Sequence, residues 1–425
     1  MREKMTRRER NILILVVALS LIVVASCFAL PYILRSRDSS TSSSGESGPE
    51  SENLVELLEG SEAYRDARDI VERNYVEEVD GDDLLEAAEK GMRRMAEEGY
   101  DDEELVERGI VAMIDSLEDP FSSYMDARQV EMLDTQLAGH FSGIGVAMQS
   151  VKNEIRVVEV LKNTPAEEVG LQEGDIIREV DGADVTDMAL DEVVMLIRGP
   201  EGTTVNLGIL RAPSSSLEYY DIVRREIELP VIEYEMKEGD IGYLRLTDWT
   251  EDVDAKLTEV LRELKSQGAK GLVLDLRGNT GGYMDPAIRA ADLFLHGGVI
   301  VTSKGRIGGA SNEYEVDDAV EWDLPVVLLV NRGSASSSEI FSAALRDNDR
   351  CLLVGETTFG KGSIQKLYRQ DDGTALKLTI ALYYTPSGIN ITDEGIEPDV
   401  FVKNPVVGDE DLQLREALEL VSTEI

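Results

Sequence analysis

Three apolar runs, "IGYLRLT" (241–247), "KGLVLDLRG" (270–278) and "PVVLLVN" (325–331), constrain this fold more than any other feature. Each has the length of a strand, and "VDAKLTEVLRELKSQG", "DPAIRAADLFLHGG" and "SSSEIFSAALRDN" follow them with helical spacing. Strand and helix in alternation predict an α/β core after Glu226. No repeat at the periods of solenoids or propellers is present.

Within that core, "GETTFGKGS" (355–363) has the spacing of a phosphate-binding loop through Gly355, Gly360 and Lys361. Gly362 stands where a Ser or Thr should reach Mg²⁺, and no helix follows to turn its amides toward phosphate. "SIQKLYRQ", the turn "DDG" and "TALKLTIALYYT" read instead as a β-hairpin. Composition also argues against phosphate: 84 Asp and Glu face 42 Lys and Arg, a formal charge of −42. Attraction to nucleotides or nucleic acid is therefore excluded as a driving force.

A sharp strand-to-helix turn in "NRGSASSSEIF" can project one hydroxyl, and Ser334, Ser336, Ser337 and Ser338 compete for the position. Ser336 to Glu339 also has the spacing of a capping box, so a hydroxyl there has a purely structural alternative. A serine nucleophile needs a base. After the amino-terminal segment only His140 and His296 are available, one before a glycine turn and the other after a helix, and neither position suggests a site. A buried lysine amine can serve once its pKa falls from about 10.4 toward neutrality, which makes Lys361 the candidate.

The remaining chain divides by composition. "MREKMTRRER" precedes an uncharged run, residues 11–34, long enough to span a bilayer, and the basic residues before it predict a cytoplasmic amino terminus. Residues 1–35 are read as a basic end and membrane anchor. A cleaved signal ending near Cys27 is the alternative, but the apolar run continues past it. Residues 36–53, rich in Ser, Gly and Glu, read as a flexible linker, and residues 54–133 as a helical region. Residues 134–225 form a small β-rich domain, 226–404 the α/β core, and 405–425 a helical tail. The amphipathic faces of the helical region and the tail fit either a homodimer or the chain's own domains. Beyond the anchor only Cys351 remains, so packing rather than a disulfide within the exported body must hold it.

"GSASSSEI", "LVGETTFGKGSIQ" and "LDLRGNTGG" together resemble the carboxyl-terminal processing peptidases, a Ser/Lys protease family with a PDZ domain. The similarity runs from about Asp119 to Asp399. It implies an inserted PDZ domain and an α/β Ser/Lys protease core. The nucleophile would fall on Ser336, the base on Lys361 and a residue orienting that base on Gln365. Where the family carries Ala after its nucleophile, this chain has Ser337, a change that leaves the backbone amide in place. The backbone amides of Gly282, preferred over Gly281, and Ser337 would form the oxyanion hole, with Asp347 as a supporting residue.

"FSGIGVAM" resembles the PDZ loop that captures a peptide carboxylate, which implicates Gly143, Ile144, Gly145 and Val146. Arg198 matches a residue that couples this domain to proteolysis. The resemblance implies no metal and no cofactor, partners with free C-termini, and a membrane-tethered serine endopeptidase outside the cytoplasm. Its rival is a non-catalytic PDZ scaffold on a protease-like core, which loss of Ser336, Lys361 or Gln365 would mark; all three are present.

Overall fold

The computed structural model describes residues 51–151, 154–212, 216–317, 320–405 and 410–425. The expected membrane segment and the linker up to residue 50 lie outside the described residues. Among the described residues no helix is long and apolar enough to cross a membrane. The chain divides into two compact units, residues 132–231 with 250–252 forming one and the flanking segments the other.

The flanking segments begin with four helices, α1 (Ser51–Gly60), α2 (Glu62–Asn74), α3 (Gly81–Glu98) and α4 (Asp102–Asp115). Helix α1 thus takes in the last three residues of the expected linker. Local chemistry sets these boundaries. Ser61 and Asp80 cap free amides of α2 and α3, Asp101 and Glu104 form a reciprocal capping box on α4, and Gly99 ends α3 in the left-handed conformation. Leu58, Tyr64, Val71, Met92, Met113 and Ile114 fill the space between the helices, and Leu376 and Leu378 of the core join them. The apolar stripes of this region are therefore covered by their own unit. A short strand not anticipated from the helical pattern, β1 (Ser123–Met125), follows, and α5 (Ala127–Ala138) carries the chain into the second unit.

That second unit contains β2 (His140–Gly143), β3 (Val146–Val151), β4 (Glu154–Val160), the single turn α6 (Pro165–Glu168), β5 (Ile176–Val180) and β6 (Ala183–Asp184). Helix α7 (Leu190–Ile197), β7 (Thr204–Leu210), β8 (Leu217–Val223) and β9 (Arg225–Glu228) complete it. Strands pair in the order β3-β4-β5-β7-β8, and β2 pairs with β9. Ile155, Val157, Ile177, Val205, Leu207 and Ile209 alternate inward and close a core with Val193 of α7.

The chain then returns to the first unit with β10 (Ile232–Lys237), β11 (Ile241–Leu246), α8 (Val253–Ser266), β12 (Gly271–Asp275) and α9 (Met284–Asp292). It continues through β13 (Val299–Gly305), β14 (Asn312–Glu315), β15 (Val326–Val330), α10 (Ser337–Asp347) and β16 (Leu352–Gly355). Last come β17 (Ser363–Arg369), β18 (Ala375–Tyr384), β19 (Val400–Phe401) and α11 (Leu412–Glu424). Strands β11, β12, β15, β16 and β19 pair in parallel, with antiparallel β10 at one edge. Strands β12 and β15 are buried at every position, as expected where both faces of a sheet are covered. A second, antiparallel sheet joins β1, β18, β13 and β14, and β17 forms the expected hairpin with β18. Arg277, beyond β12, binds Asp275, Asp411 and Gln413 and fastens the tail helix α11 to the parallel sheet.

Candidate active site

The loops after β12, β15 and β16 meet at the carboxyl ends of the parallel strands, where an open α/β sheet leaves its crevice. Ser336 ends the loop after β15. Its φ of 54° lies in the left-handed region, unusual for a residue with a Cβ, and α10 begins at the next position. The other three serines are occupied. Ser334 Oγ donates to Leu276 O, Ser337 Oγ to Gly282 O and Ser338 Oγ to Asn279 O. The Ser336 side chain makes no cap hydrogen bond to the helix. Three of the four hydroxyls hold the turn.

The glycine loop after β12 packs against this turn. Gly281 has φ 107°, and a Cβ there would come within 2.8 Å of Ser336 Cβ and 3.3 Å of its Oγ. Gly282, at φ 146°, lies so close to Trp249 O that a Cβ would approach to 2.3 Å. Both positions demand glycine for space as well as conformation. The Gly281 amide donates to Asn279 Oδ1 and its carbonyl accepts from Trp249 N, whereas Gly282 is exposed. Trp249, fully buried against Phe341, also donates through Nε1 to Ser338 Oγ at 2.9 Å. Trp249 therefore braces the glycine loop through its backbone and the Ser336 turn through its indole.

Lys361 reaches the same place from the loop after β16, and the link is Glu339 of α10. This carboxylate is fully buried, and Oε2 accepts from Ser336 N at 2.9 Å and from Lys361 N at 3.0 Å. Oε1 accepts from Thr358 Oγ1 at 2.5 Å and Gly360 N at 2.8 Å. Burial pushes the Glu339 carboxyl above its usual range, while these four donors all favour the charged form. Phe359 N also donates to Ser334 O, and Tyr383 spans from Gly362 O through its amide to Ser336 O through its phenol, at 3.4 Å. Ser336 and Lys361 are thus brought together by several independent ties.

The side-chain amine of Lys361 is desolvated, and this burial, aided by repulsion from Lys377, lowers its pKa to about 8. The expected partner Gln365 donates through its amide nitrogen to Ser363 Oγ and Thr379 Oγ1. Asp347 ends α10. Its Oδ1 accepts from Arg346 and its Oδ2 from Ser387 N and Oγ. Burial works against its charge, yet these bonds hold the carboxyl below the usual range. The loop it anchors carries Asn390, which donates to Gly362 O beside Lys361. His140 is exposed and lies 3.4 Å from Glu226 within the second unit, and His296 is exposed after α9. Among the described residues, no group of three or more His, Cys, Asp or Glu could hold a metal ion.

In the second unit, the sequence "FSGIGV" turns from β2 into β3. Gly145, at φ 83°, sits so near Thr164 that a Cβ would approach to 2.3 Å, while Ile144 is buried and its carbonyl accepts from Ala166 N. The turn is held from behind, with Val146 paired to Val160 and Leu161 N bonded to Gly145 O. Gly143 pairs with Arg225 at the end of β2. Arg198 lies just after α7 with its guanidinium 4.9 Å from the Phe141 ring centroid and 3.2 Å from Thr135 Oγ1.

The sequence marks Glu339 only by its helix-capping spacing, and no local signal marks Thr358, Trp249 or Tyr383. The Ser-x-x-Glu spacing was a usable signal, because the return half of the capping box is what forms.

Peptidase family S41 matches residues 240–402, and the PDZ domain matches residues 132–210. A carboxy-terminal-processing protease of Bartonella bacilliformis is 41% identical over 72% of this chain and 71% of its own length. The carboxy-terminal processing protease CtpA of Bacillus subtilis is 37% identical, over 76% and 70%. A carboxyl-terminal-processing protease of Synechocystis is 35% identical, over 74% and 76%. The fold and these matches define a serine-type protease core with a PDZ domain. The chain belongs to the carboxy-terminal-processing proteases of family S41.

Proposed function

We propose that the chain cleaves exported proteins, engaged through their free C-termini, by an acyl-enzyme mechanism on Ser336 with Lys361 as base. The observation that carries this reading is the Glu339 carboxylate shared by the Ser336 and Lys361 amides, beside an amine lowered to about 8. A neutral Lys361 Nζ takes the proton of Ser336 Oγ as Oγ attacks the scissile carbonyl. The developing oxyanion would accept from the amides of Ser337 and Gly282, Gly281 N being already engaged with Asn279. The Lys361 ammonium then protonates the departing amine, and water, deprotonated by the same lysine, releases the acyl group. With its amide nitrogen engaged elsewhere, Gln365 has its carbonyl oxygen left to steady the ammonium.

In this reading the loop at Gly143–Val146 receives the substrate carboxylate on backbone amides while the peptide adds alongside β3. Residues 11–34 tether the chain to the cell membrane, with the body outside the cytoplasm; protection of that body from protease in intact cells would contradict the topology. No observation favours the non-catalytic scaffold. The test of the activity is to incubate the full chain in detergent with an unfolded protein such as β-casein and map new termini by mass spectrometry. Cleavage that persists in Ser336→Ala would end the proposal.

A further inference from the structure

The proposed base must be kept dry, and the glycines around Lys361 cannot do this. The covering group comes from the turn between α4 and β1, "EDPFSSYM". The Phe121 ring faces the amine, with Lys361 Nζ 5.1 Å from the ring centroid. Leu117 and Tyr124, on either side, pack on the apolar cluster under the helices, but Phe121 does not belong to that cluster. Burial in the helical core therefore does not explain this aromatic residue.

The turn is fixed by a chain of bonds that ends on the catalytic hairpin. Glu118 takes a left-handed φ of 53°. Asp119 Oδ1 accepts from Phe121 N at 3.0 Å, and Asp119 Oδ2 accepts from Ser122 Oγ at 2.5 Å. Ser122 Oγ in turn accepts from Thr379 N of β18 at 3.0 Å, and Thr379 Oγ1 accepts from Gln365. Beyond it, Ser123 stands opposite Lys377 in the β1–β18 ladder.

We infer that the turn Asp119–Ser122 is a fixed lid on the proposed base, in which Phe121 acts as a positioning residue that seats the Lys361 amine against its ring and shuts water out. This rests on the Ser336/Lys361 reading. The ring has two opposed effects on the amine. Its bulk excludes water, which disfavours the ammonium, and its π face attracts the ammonium. The charged groups acting on the amine are Lys377 from β18, which disfavours the ammonium, and Asp119 of the lid and Glu339 of α10, which favour it. The lid thus supplies both an apolar cover and one of the two carboxylates acting on the base.

Opposed effects give opposed tests. The readout is the pH dependence of Ser336 labelling by a fluorophosphonate probe on the full chain, in which Oγ bonds to phosphorus, fluoride leaves and the proton passes to the base. Phe121→Leu keeps apolar bulk without the π face, so its midpoint should fall by a few tenths of a pH unit. Phe121→Ala admits water, and its midpoint should rise by about one unit. Asp119→Asn should lower it, and Phe121→Trp should restore the wild-type midpoint. Midpoints equal to wild type in Phe121→Leu, Phe121→Ala and Asp119→Asn would overturn the lid. If Phe121→Ala does not fold, Phe121→Leu and Asp119→Asn decide alone. Labelling of the parent chain that survives Lys361→Ala would refute the dyad itself, an outcome distinct from failure of the lid.

Discussion

Glu339→Gln is the most informative single change in the core. The wild-type carboxylate is an acceptor at both oxygens, and each oxygen receives two donors. An amide retains one oxygen and turns an NH₂ toward the other pair. Either Thr358 and Gly360 or Ser336 and Lys361 then face a donor. Two buried donors left unpaired at roughly 1–3 kcal/mol each, partly offset by no longer burying a charge, give a loss of about 2–4 kcal/mol. Thr358→Val withdraws one donor and also strands Ile396 N, which bonds to Thr358 Oγ1 at 2.7 Å; about 1–2 kcal/mol should follow. Both tryptophans, Trp249 and Trp322, are buried in the unit that holds the site, so fluorescence during urea unfolding reports that unit. Cleavage of β-casein should fall by about 10- to 100-fold, since small displacements of a base are costly. A variant that unfolds within about 0.5 kcal/mol of wild type and cleaves normally would refute the idea that this carboxylate joins the two halves of the site.

Ser336→Ala and Lys361→Ala should each abolish cleavage, and the double variant should be no worse, because the two act as one unit. Activity should rise with pH through about 8, where Lys361 loses its proton; a profile flat from pH 6 to 10 would contradict a lysine base. The same burial weakens the fold. Lys361 binds its proton less tightly when folded than the ordinary value of 10.5, so its cost is full below about pH 8 and disappears as pH rises toward 10.5. Lys361→Met should therefore stabilise the core by at most about 3 kcal/mol at pH 7, with the gain shrinking above pH 8. His140→Ala, His296→Ala and excess EDTA should leave cleavage intact, and loss in any of the three would reopen the choice of base or of metal. A non-cleavable peptide with a free C-terminus should stimulate cleavage of a short reporter, its amidated form should not, and Arg198→Ala should uncouple the response. Equal rates throughout would leave the PDZ domain as a docking surface only.

What could be read in the sequence was whatever is local along the chain. The runs 241–247, 270–278 and 325–331 became strands because their apolar content needed no long-range information. The hairpin after Lys361 followed from alternation and a turn. Residues 123–125 fall within the region the sequence marks as helical, yet they form a strand because β18, some 250 residues later in the chain, offers its edge. No local periodicity carries that pairing.

The same distinction separates the legible part of the site from the rest. Ser336 and Lys361 stand in short motifs whose glycines mark tight backbone. Among the four serines, however, only the hydrogen bonds of Ser334, Ser337 and Ser338 explain why three hydroxyls serve structure. Glu339 reads as a helix-capping residue because half its work is just that, a bond to Ser336 N within one turn. Its other half, to Gly360 and Lys361, depends on β15 and β16 lying side by side, which brings the two loops to the same end of the sheet. Phe121 is less visible still, since it comes from the turn before β1 and stands out only beside the Lys361 amine. The proposed reacting groups announce themselves by motif, whereas the groups proposed to tune them are brought in by topology, and substitutions at Glu339 and Phe121 test that division directly.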